Sequence, residues 1–300
     1  TATEAGILLA SPSETTLIVL GAGVIGLVFG TPADISSYLI AHPLIRKITF
    51  TGSVGVGKML AAKAAGLMKR STMELGGHAP VIICDDADID MAVKLLVPHK
   101  FRNAGQACLA PTRFLVHQSI EREFCDRFVA ETQALKVGNG MNPVAQMGPM
   151  ISAHRKAAMA PLVADSLEHG ADLACGGALN GPGHFHAPTV LRNVPRSARI
   201  MSEEPFGPVA PITGFKTLEE ALAIANDNPY GLAAYLFTDS RRIAHQVAER
   251  LQVGAIAINN IIVSMPEAPF GGIKDSGIGS ESGIEGMASF LETRTVHAAH

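Results

Sequence analysis

Long apolar runs are missing from this sequence of 300 residues. The longest, residues 17–29, is broken by Gly21, Gly23 and Gly26 and meets Gly30 directly afterwards, short of the roughly 18 uninterrupted residues of a membrane span. That excludes a helical membrane protein and predicts a soluble, cytoplasmic one. Cysteine is scarce: Cys84, Cys108, Cys125 and Cys175 stand in unpatterned surroundings, without CxxC or the His/Cys spacing of a metal site. Neither a disulfide framework nor a bound metal is expected, and reduced thiols fit a cytosolic protein. An excess of positive charge is also lacking, with 24 Lys and Arg against 27 Asp and Glu and a net charge of −3. The basic residues are scattered, so neither nucleic acid nor an anionic membrane is an expected partner. The chain opens TATEAG with no basic, amphipathic leader, so no targeting signal is read, although an upstream segment could have been removed. Internal repeats and low-complexity segments are absent.

What is present is a composition 47% hydrophobic, enough for a large core and two domains. Strand-like and helix-like stretches alternate throughout. Strands are predicted at 6–10, 17–20, 47–51, 71–75, 80–84, 114–117, 187–191, 234–238 and 255–259. Helices are predicted at 32–41, 59–68, 91–102, 119–135, 154–169, 218–226, 241–251 and 281–290, with a solvated helix start at Asp85. Gly76 and Gly77 form a hinge between two domains. Residues 291–298 alternate like an edge strand, and an exposed edge invites pairing. GAGVIG at 21–26 has the glycine spacing of a dinucleotide fingerprint. That motif needs a following helix and an acid about 20 residues on; Gly30 and Pro32 deny the first, so no phosphate loop is assigned there.

Two stretches carry chemistry. FRNAGQAC at 101–108 presents Cys108, and MELGG at 73–77 presents Glu74. A thiol is nucleophilic only as thiolate and needs a base or a cation nearby; Glu74 is the candidate base. Ala104, Gly105 and Ala107 are small, which would let a carbonyl approach the sulfur and leave backbone N–H groups facing an oxyanion. The plain alternative is Cys108 as a small buried hydrophobe. FTGS at 50–53 opens a helix, placing Ser53 at an N-cap where a phosphate or a simple cap would suit.

MELGGHAP, FRNAGQAC thirty-four residues after Glu74, EEPFGP at 203–208 and PFGGIKDSGIG at 269–279 occur in an order and spacing that resemble the aldehyde dehydrogenase superfamily. The likeness runs from about Ser11 to the C-terminus, while the first sheet-forming segment of such enzymes has no counterpart. It implies an α/β, aldehyde-dehydrogenase-like fold: a partial Rossmann-type NAD-binding domain (1–76), an α/β catalytic domain (77–275) and a C-terminal helix with an oligomerisation strand (276–300). A homodimer or homotetramer follows from that strand.

The resemblance assigns Cys108 as the nucleophile toward an aldehyde and Glu74 as the base that activates water for thioester hydrolysis. Gly52 and Ser53 match the cofactor pyrophosphate site, Leu75 a further cofactor contact, Glu204 the nicotinamide-side ribose ligand and Phe206 the ring beside the nicotinamide. Glu14 matches the position facing the adenosine ribose, where a carboxylate repels a 2′-phosphate and favours NAD, with NADP still possible. Ser11 stands where the family usually has Lys, which should weaken cofactor binding. The Asn oxyanion donor of a PWNFP-like motif is missing, and one such donor is typically worth about 10² to 10³ in rate. Ser280 replaces a frequent Arg, which would leave Arg70 without a shared acidic network with Glu292.

The same motifs look most like the semialdehyde branch, including succinate-semialdehyde dehydrogenases. Arg102 matches an arginine that grips a substrate carboxylate, a task for which a planar guanidinium is suited. Ser264 and Phe270 join it as substrate contacts, whereas the upstream arginine partner is missing. Arg102 as a cation closing a helix end is the alternative. An α-ketoglutarate-semialdehyde or aromatic aldehyde stays open as substrate, as does a catalytically impaired homologue with a structural or assembly role.

Overall fold

The computed structural model describes residues 5–10, 16–21, 24–177 and 183–299, with side chains described from Val28 on. The chain forms two compact units, residues 1–76 with 264–300, and residues 77–263. The division at Gly76 is the one expected, but residues 264–275 belong with the first unit, and residues 276–300 are part of that unit too.

The chain enters the first unit with β1 (Ala5–Ala10), β2 (Thr16–Gly21) and β3 (Val24–Phe29), an antiparallel meander. Gly21 and Gly26 of GAGVIG thus lie in a strand pair in which Leu17 faces Val28, and β3 rather than a helix carries Gly26. Then come α1 (Pro32–Ala41), β4 (Ile45–Gly52), α2 (Val54–Ala65) and β5 (Arg70–Leu75). Pro32 opens α1 because its fixed φ suits a first turn whose N–H would be unpaired anyway. α2 starts five residues before the predicted helix and takes in Gly55 and Gly57. The Leu75 side chain occupies the space a Cβ on Gly57 would need, so packing overrides the poor helix propensity of glycine.

In the second unit β6 (Pro80–Ile83) leads through α3 (Ile89–Phe101) to β7 (Arg113–His117) and α4 (Glu121–Ala134). Residues 85–88 are a turn and not a helix start: Asp88 is the N-cap, its carboxylate accepting from Met91 N at 2.9 Å. The single helix expected at 154–169 is two, α5 (Ala153–Ala157) and α6 (Met159–Glu168). Pro161 has no N–H to return to Ala157, so it fits only the first turn of a new helix. β8 (Asp172–Cys175), β9 (Thr189–Arg192), β10 (Val209–Phe215), α7 (Leu218–Asn226), β11 (Ala233–Phe237), α8 (Arg241–Arg250) and β12 (Ala255–Ile258) complete the unit. The strand order is β12-β11-β6-β7-β10-β9-β8, parallel except for β8. β6 and β11 are buried along their whole length, as a parallel sheet covered on both faces requires.

The chain returns to the first unit with β13 (Gly277–Ile278), antiparallel to β5, and α9 (Gly283–Ala288). The first sheet is ordered β13-β5-β4-β1-β2-β3. α9 is shorter than predicted because Glu281 pairs its backbone with Phe270 in both directions, at 2.8 and 2.7 Å. Residues 291–299 form no strand, since a strand exists only with a ladder partner and they have none among the described residues. Arg70, expected to lack its acidic network, meets Glu292 at 3.1 Å and donates to Leu291 O at 2.8 Å. Among the described residues no helix is long and apolar enough to cross a membrane, and no cluster of three metal-ligating side chains occurs.

Candidate active site

The candidates of the second unit lie at the amino edge of its parallel sheet, on the segments 77–79, 102–112 and 203–208 that feed β6, β7 and β10. Ligand sites of open α/β sheets usually sit beyond the carboxyl ends of the strands. Here α3 carries the chain back to the opposite edge before the thiol appears. Its last residue, Phe101, is buried, and Asn103, Ala104 and Gly105 then adopt left-handed backbone, φ 52°, 53° and 69°. Two non-glycine residues there cost roughly 1–2 kcal/mol each, so the turn must be held from outside. Asn103 Nδ2 donates to Gln106 O, and Gln106 Nε2 to Asn103 O, both at 2.9 Å. Gln106 Oε1 also accepts from Ile151 N at 2.9 Å. Gly105 packs so closely on the Gly207 carbonyl that no Cβ could stand there. Ala104 and Gly105 are therefore buried packing residues, which corrects the expectation that their smallness opens a path to the sulfur.

Cys108 follows, half-buried, whereas Cys84, Cys125 and Cys175 are only 3%, 4% and 9% exposed. Burial pushes the Cys84 thiol up to about 12 and that of Cys125 up to about 11, and raises that of Cys175, so none of these three is a thiolate near neutrality. The Cys108 carbonyl lies against Gly77, where a Cβ would be 2.7 Å from it. Behind the loop Tyr235 Oη donates to Leu109 O at 2.6 Å, so its remaining contact, His99 Nε2 at 2.8 Å, must be a donor. Burial keeps that imidazole neutral, with a pKa lowered to about 4.

Glu204 accepts from Gly77 N at 3.2 Å. Burial raises its pKa to about 7 against the opposing influences of that N–H, Arg155 and Lys100. Phe206, half-buried, is held at φ 41°. Arg155 Nη2 donates to Pro205 O at 2.8 Å and to Phe206 O at 3.4 Å. Lys100 Nζ donates to Gly207 O at 3.1 Å from a position with no solvent exposure. Burial lowers its pKa to about 7, with Glu204 opposing. Arg102 is exposed at the start of the loop.

The candidates of the first unit gather at the carboxyl ends of β4 and β5, where Thr51 faces Glu74 and Gly52 faces Leu75. Ser53 stands at the N-cap of α2 with extended backbone, and its hydroxyl makes no capping bond; a helix start is where an anion is electrostatically favoured. Glu74 is 3% exposed and its Oε1 has no hydrogen-bond partner among the described residues. Burial first, and the Glu281 carboxylate second, raise its pKa to about 8 against a hydrogen bond from the Gly272 backbone. Phe270 is buried beside Glu281, and Ser264 is exposed. Glu14 and Ser11 lie outside the described residues. Sequence reasoning missed Lys100, Arg155 and the His99–Tyr235 pair. Lys100 carried a signal, since it falls on the buried stripe of α3 with Val93, Leu96 and Val97.

One unit thus bears a half-exposed thiol and the other a buried carboxyl. The chain belongs to the aldehyde dehydrogenase family, whose sequence profile matches residues 13–296. It is 58% identical over 275 residues to 4-(hydroxymethyl)benzenesulfonate dehydrogenase of Comamonas testosteroni, covering 92% of this chain and 57% of that protein. It is 43% identical over 282 residues to succinate-semialdehyde dehydrogenase of Paenarthrobacter nicotinovorans, covering 93% and 63%. A crystal structure of an NADP dependent enzyme of E. coli superposes with a TM-score of 0.89 at 39% identity, over 91% of this chain and 57% of that one. The chain thus spans little more than half the length of the relatives it matches.

Proposed function

We propose that the protein acts in the NAD(P)-dependent oxidation of an aldehyde to a carboxylic acid, with Cys108 as nucleophile and Glu74 as base. The observation that carries this reading is the contrast among the thiols: three are buried and held protonated, and Cys108 alone is half-exposed, three residues beyond a strained, clamped turn. Gly52, Ser53 and Leu75, with Glu14, would hold the adenosine and pyrophosphate part of a nicotinamide dinucleotide; Glu204 and Phe206 would hold its nicotinamide end. The uncapped Ser53 hydroxyl fits such a group. When bound, it supplies an acceptor for hydride.

The sulfur adds to the aldehyde carbon to give a thiohemiacetal, and loss of hydride from that carbon leaves a thioester on Cys108. Glu74 then takes a proton from water as its oxygen attacks the thioester carbon, and sulfur leaves as thiolate. The partnerless Oε1 of Glu74 is suited to receive that water. With a pKa of about 8 it is mostly protonated at neutral pH, so hydrolysis should be the slow step there. A burst of reduced cofactor followed by slow turnover tests this in Glu74→Gln. Equal loss of burst and turnover would place Glu74 in thiol activation or folding instead.

Arg102, exposed beside the loop, supports a substrate with an anionic tail. The first reading is an ω-carboxylated semialdehyde such as succinate semialdehyde. The second, favoured by the 58% identity to a benzenesulfonate-alcohol dehydrogenase, is an aromatic aldehyde bearing a sulfonate. Relative kcat/KM for succinate semialdehyde, 4-formylbenzenesulfonate and benzaldehyde decides between them. Residues 291–298 are read as a strand that completes a neighbouring subunit's sheet in a cytoplasmic homo-oligomer. The competing role, an impaired homologue serving assembly, is favoured if NAD neither binds nor alters Cys108 alkylation.

A further inference from the structure

Lys100 is the one charged side chain of α3 with no solvent exposure. A buried ammonium is an expensive way to fill space: methionine would occupy a similar volume without desolvating a charge. Its placement explains the expense. Nζ donates to the Gly207 carbonyl, which is also the surface on which Gly105 rests. The next carbonyls back along the same segment, those of Phe206 and Pro205, accept from Arg155. One strip of backbone, bearing Glu204 and the left-handed Phe206, is therefore pinned by two cations, and the left-handed turn before Cys108 is stacked on the end that Lys100 pins.

We propose that Lys100 is a positioning residue for the thiol: by locking the Gly207 carbonyl it fixes the platform on which the Asn103–Gly105 turn rests, and so the setting of Cys108 relative to Glu204 and Phe206. The idea rests on Cys108 as the reactive thiol. Without the lock, Asn103 and Ala104 are free to leave the left-handed region, which redirects the residues that follow.

The full chain is treated with iodoacetamide near neutral pH, and alkylation of each cysteine is followed by peptide mass spectrometry, alongside thermal melts. Wild type is expected to label Cys108 first. Lys100→Met should slow that labelling by roughly tenfold or more, the value of a lost hydrogen bond from a charged donor, while melting no earlier than wild type. Lys100→Arg should recover part of the rate. If Lys100→Met folds and labels Cys108 within about twofold of wild type, the proposal is overturned. If its melting falls and labelling merely tracks the unfolded fraction, Lys100 is structural and the proposal is likewise overturned. Should Lys100→Met not fold, Lys100→Gln, which keeps a donor without the charge, takes its place in the same comparison. Wild type labelling Cys84, Cys125 or Cys175 first would instead remove the nucleophile itself, an outcome distinct from failure of the lock.

Discussion

Replacing Glu74 by Gln removes a buried carboxyl and keeps its shape, so pH isolates the charge. Burial, with the Glu281 carboxylate second, holds the Glu74 pKa at about 8 against 4.5 for an ordinary glutamate. Between those values the folded chain keeps a proton that the unfolded chain has released. The difference in bound protons, unfolded minus folded, is close to −1, and stability falls by about 1.4 kcal/mol per pH unit. This stabilising influence is complete below the unfolded value and is lost as pH rises toward about 8. From about pH 5.5 to about pH 7.5, wild type should lose roughly 2.7 kcal/mol relative to Glu74→Gln, which carries no such proton. At roughly 2–4 °C per kcal/mol the gap in Tm widens by about 5–10 °C in favour of the variant. Circular dichroism melts of both proteins at three pH values across that window measure it. A Tm difference that stays flat with pH would mean that Glu74 is already ionised in the folded chain, and the argument from burial would fail.

Cys108→Ala should abolish aldehyde oxidation while leaving cofactor binding intact, as read by titration calorimetry beside an activity assay. Arg102→Leu should lower kcat/KM for an anionic aldehyde about tenfold more than for an uncharged one of equal length; equal losses on both would make Arg102 structural. Gly105→Ala forces a side chain into left-handed backbone and onto the Gly207 carbonyl, so it should cost about 2–5 kcal/mol in urea unfolding. A loss below about 1 kcal/mol would mean that the turn relaxes easily.

The placement of the main candidates was legible because their motifs are contiguous. MELGG places Glu74 at the end of β5, and FRNAGQAC places Cys108 just beyond α3, so local pattern and position agreed. What stayed hidden depends on partners far away in the chain. Lys100 falls on the apolar stripe of α3, but the carbonyl that satisfies it lies 107 residues on, and no local pattern names that partner. The handedness of Ala104 is likewise set by the Gln106 clamp and the Gly207 platform, against the intrinsic preference of alanine. Residues 291–298 have the alternation of a strand, but alternation supplies only the side-chain pattern; the ladder must come from elsewhere. Arg70 pairs with Glu292 although Ser280 stands where an arginine was expected, so the pair does not depend on that arginine.

The first unit is closed by residues from both ends of the chain. Lys47 on β4 donates to Thr72 Oγ1 at 2.8 Å and to Ser289 Oγ at 2.5 Å, and lies 4.3 Å from the ring centre of Phe290. Strand β13, which covers Glu74, is made 203 residues after it (277 minus 74). During synthesis the thiol-bearing unit, continuous from Gly77 to Val263, is therefore complete before the carboxylate-bearing sheet can gain its last strand. Until then β5, which carries Glu74, lacks the partner that β13 supplies. Two of the groups that set its pKa in the folded chain, the Glu281 carboxylate and the Gly272 backbone, belong to that later segment, so the electrostatic setting of Glu74 is completed only after the thiol-bearing unit has been made.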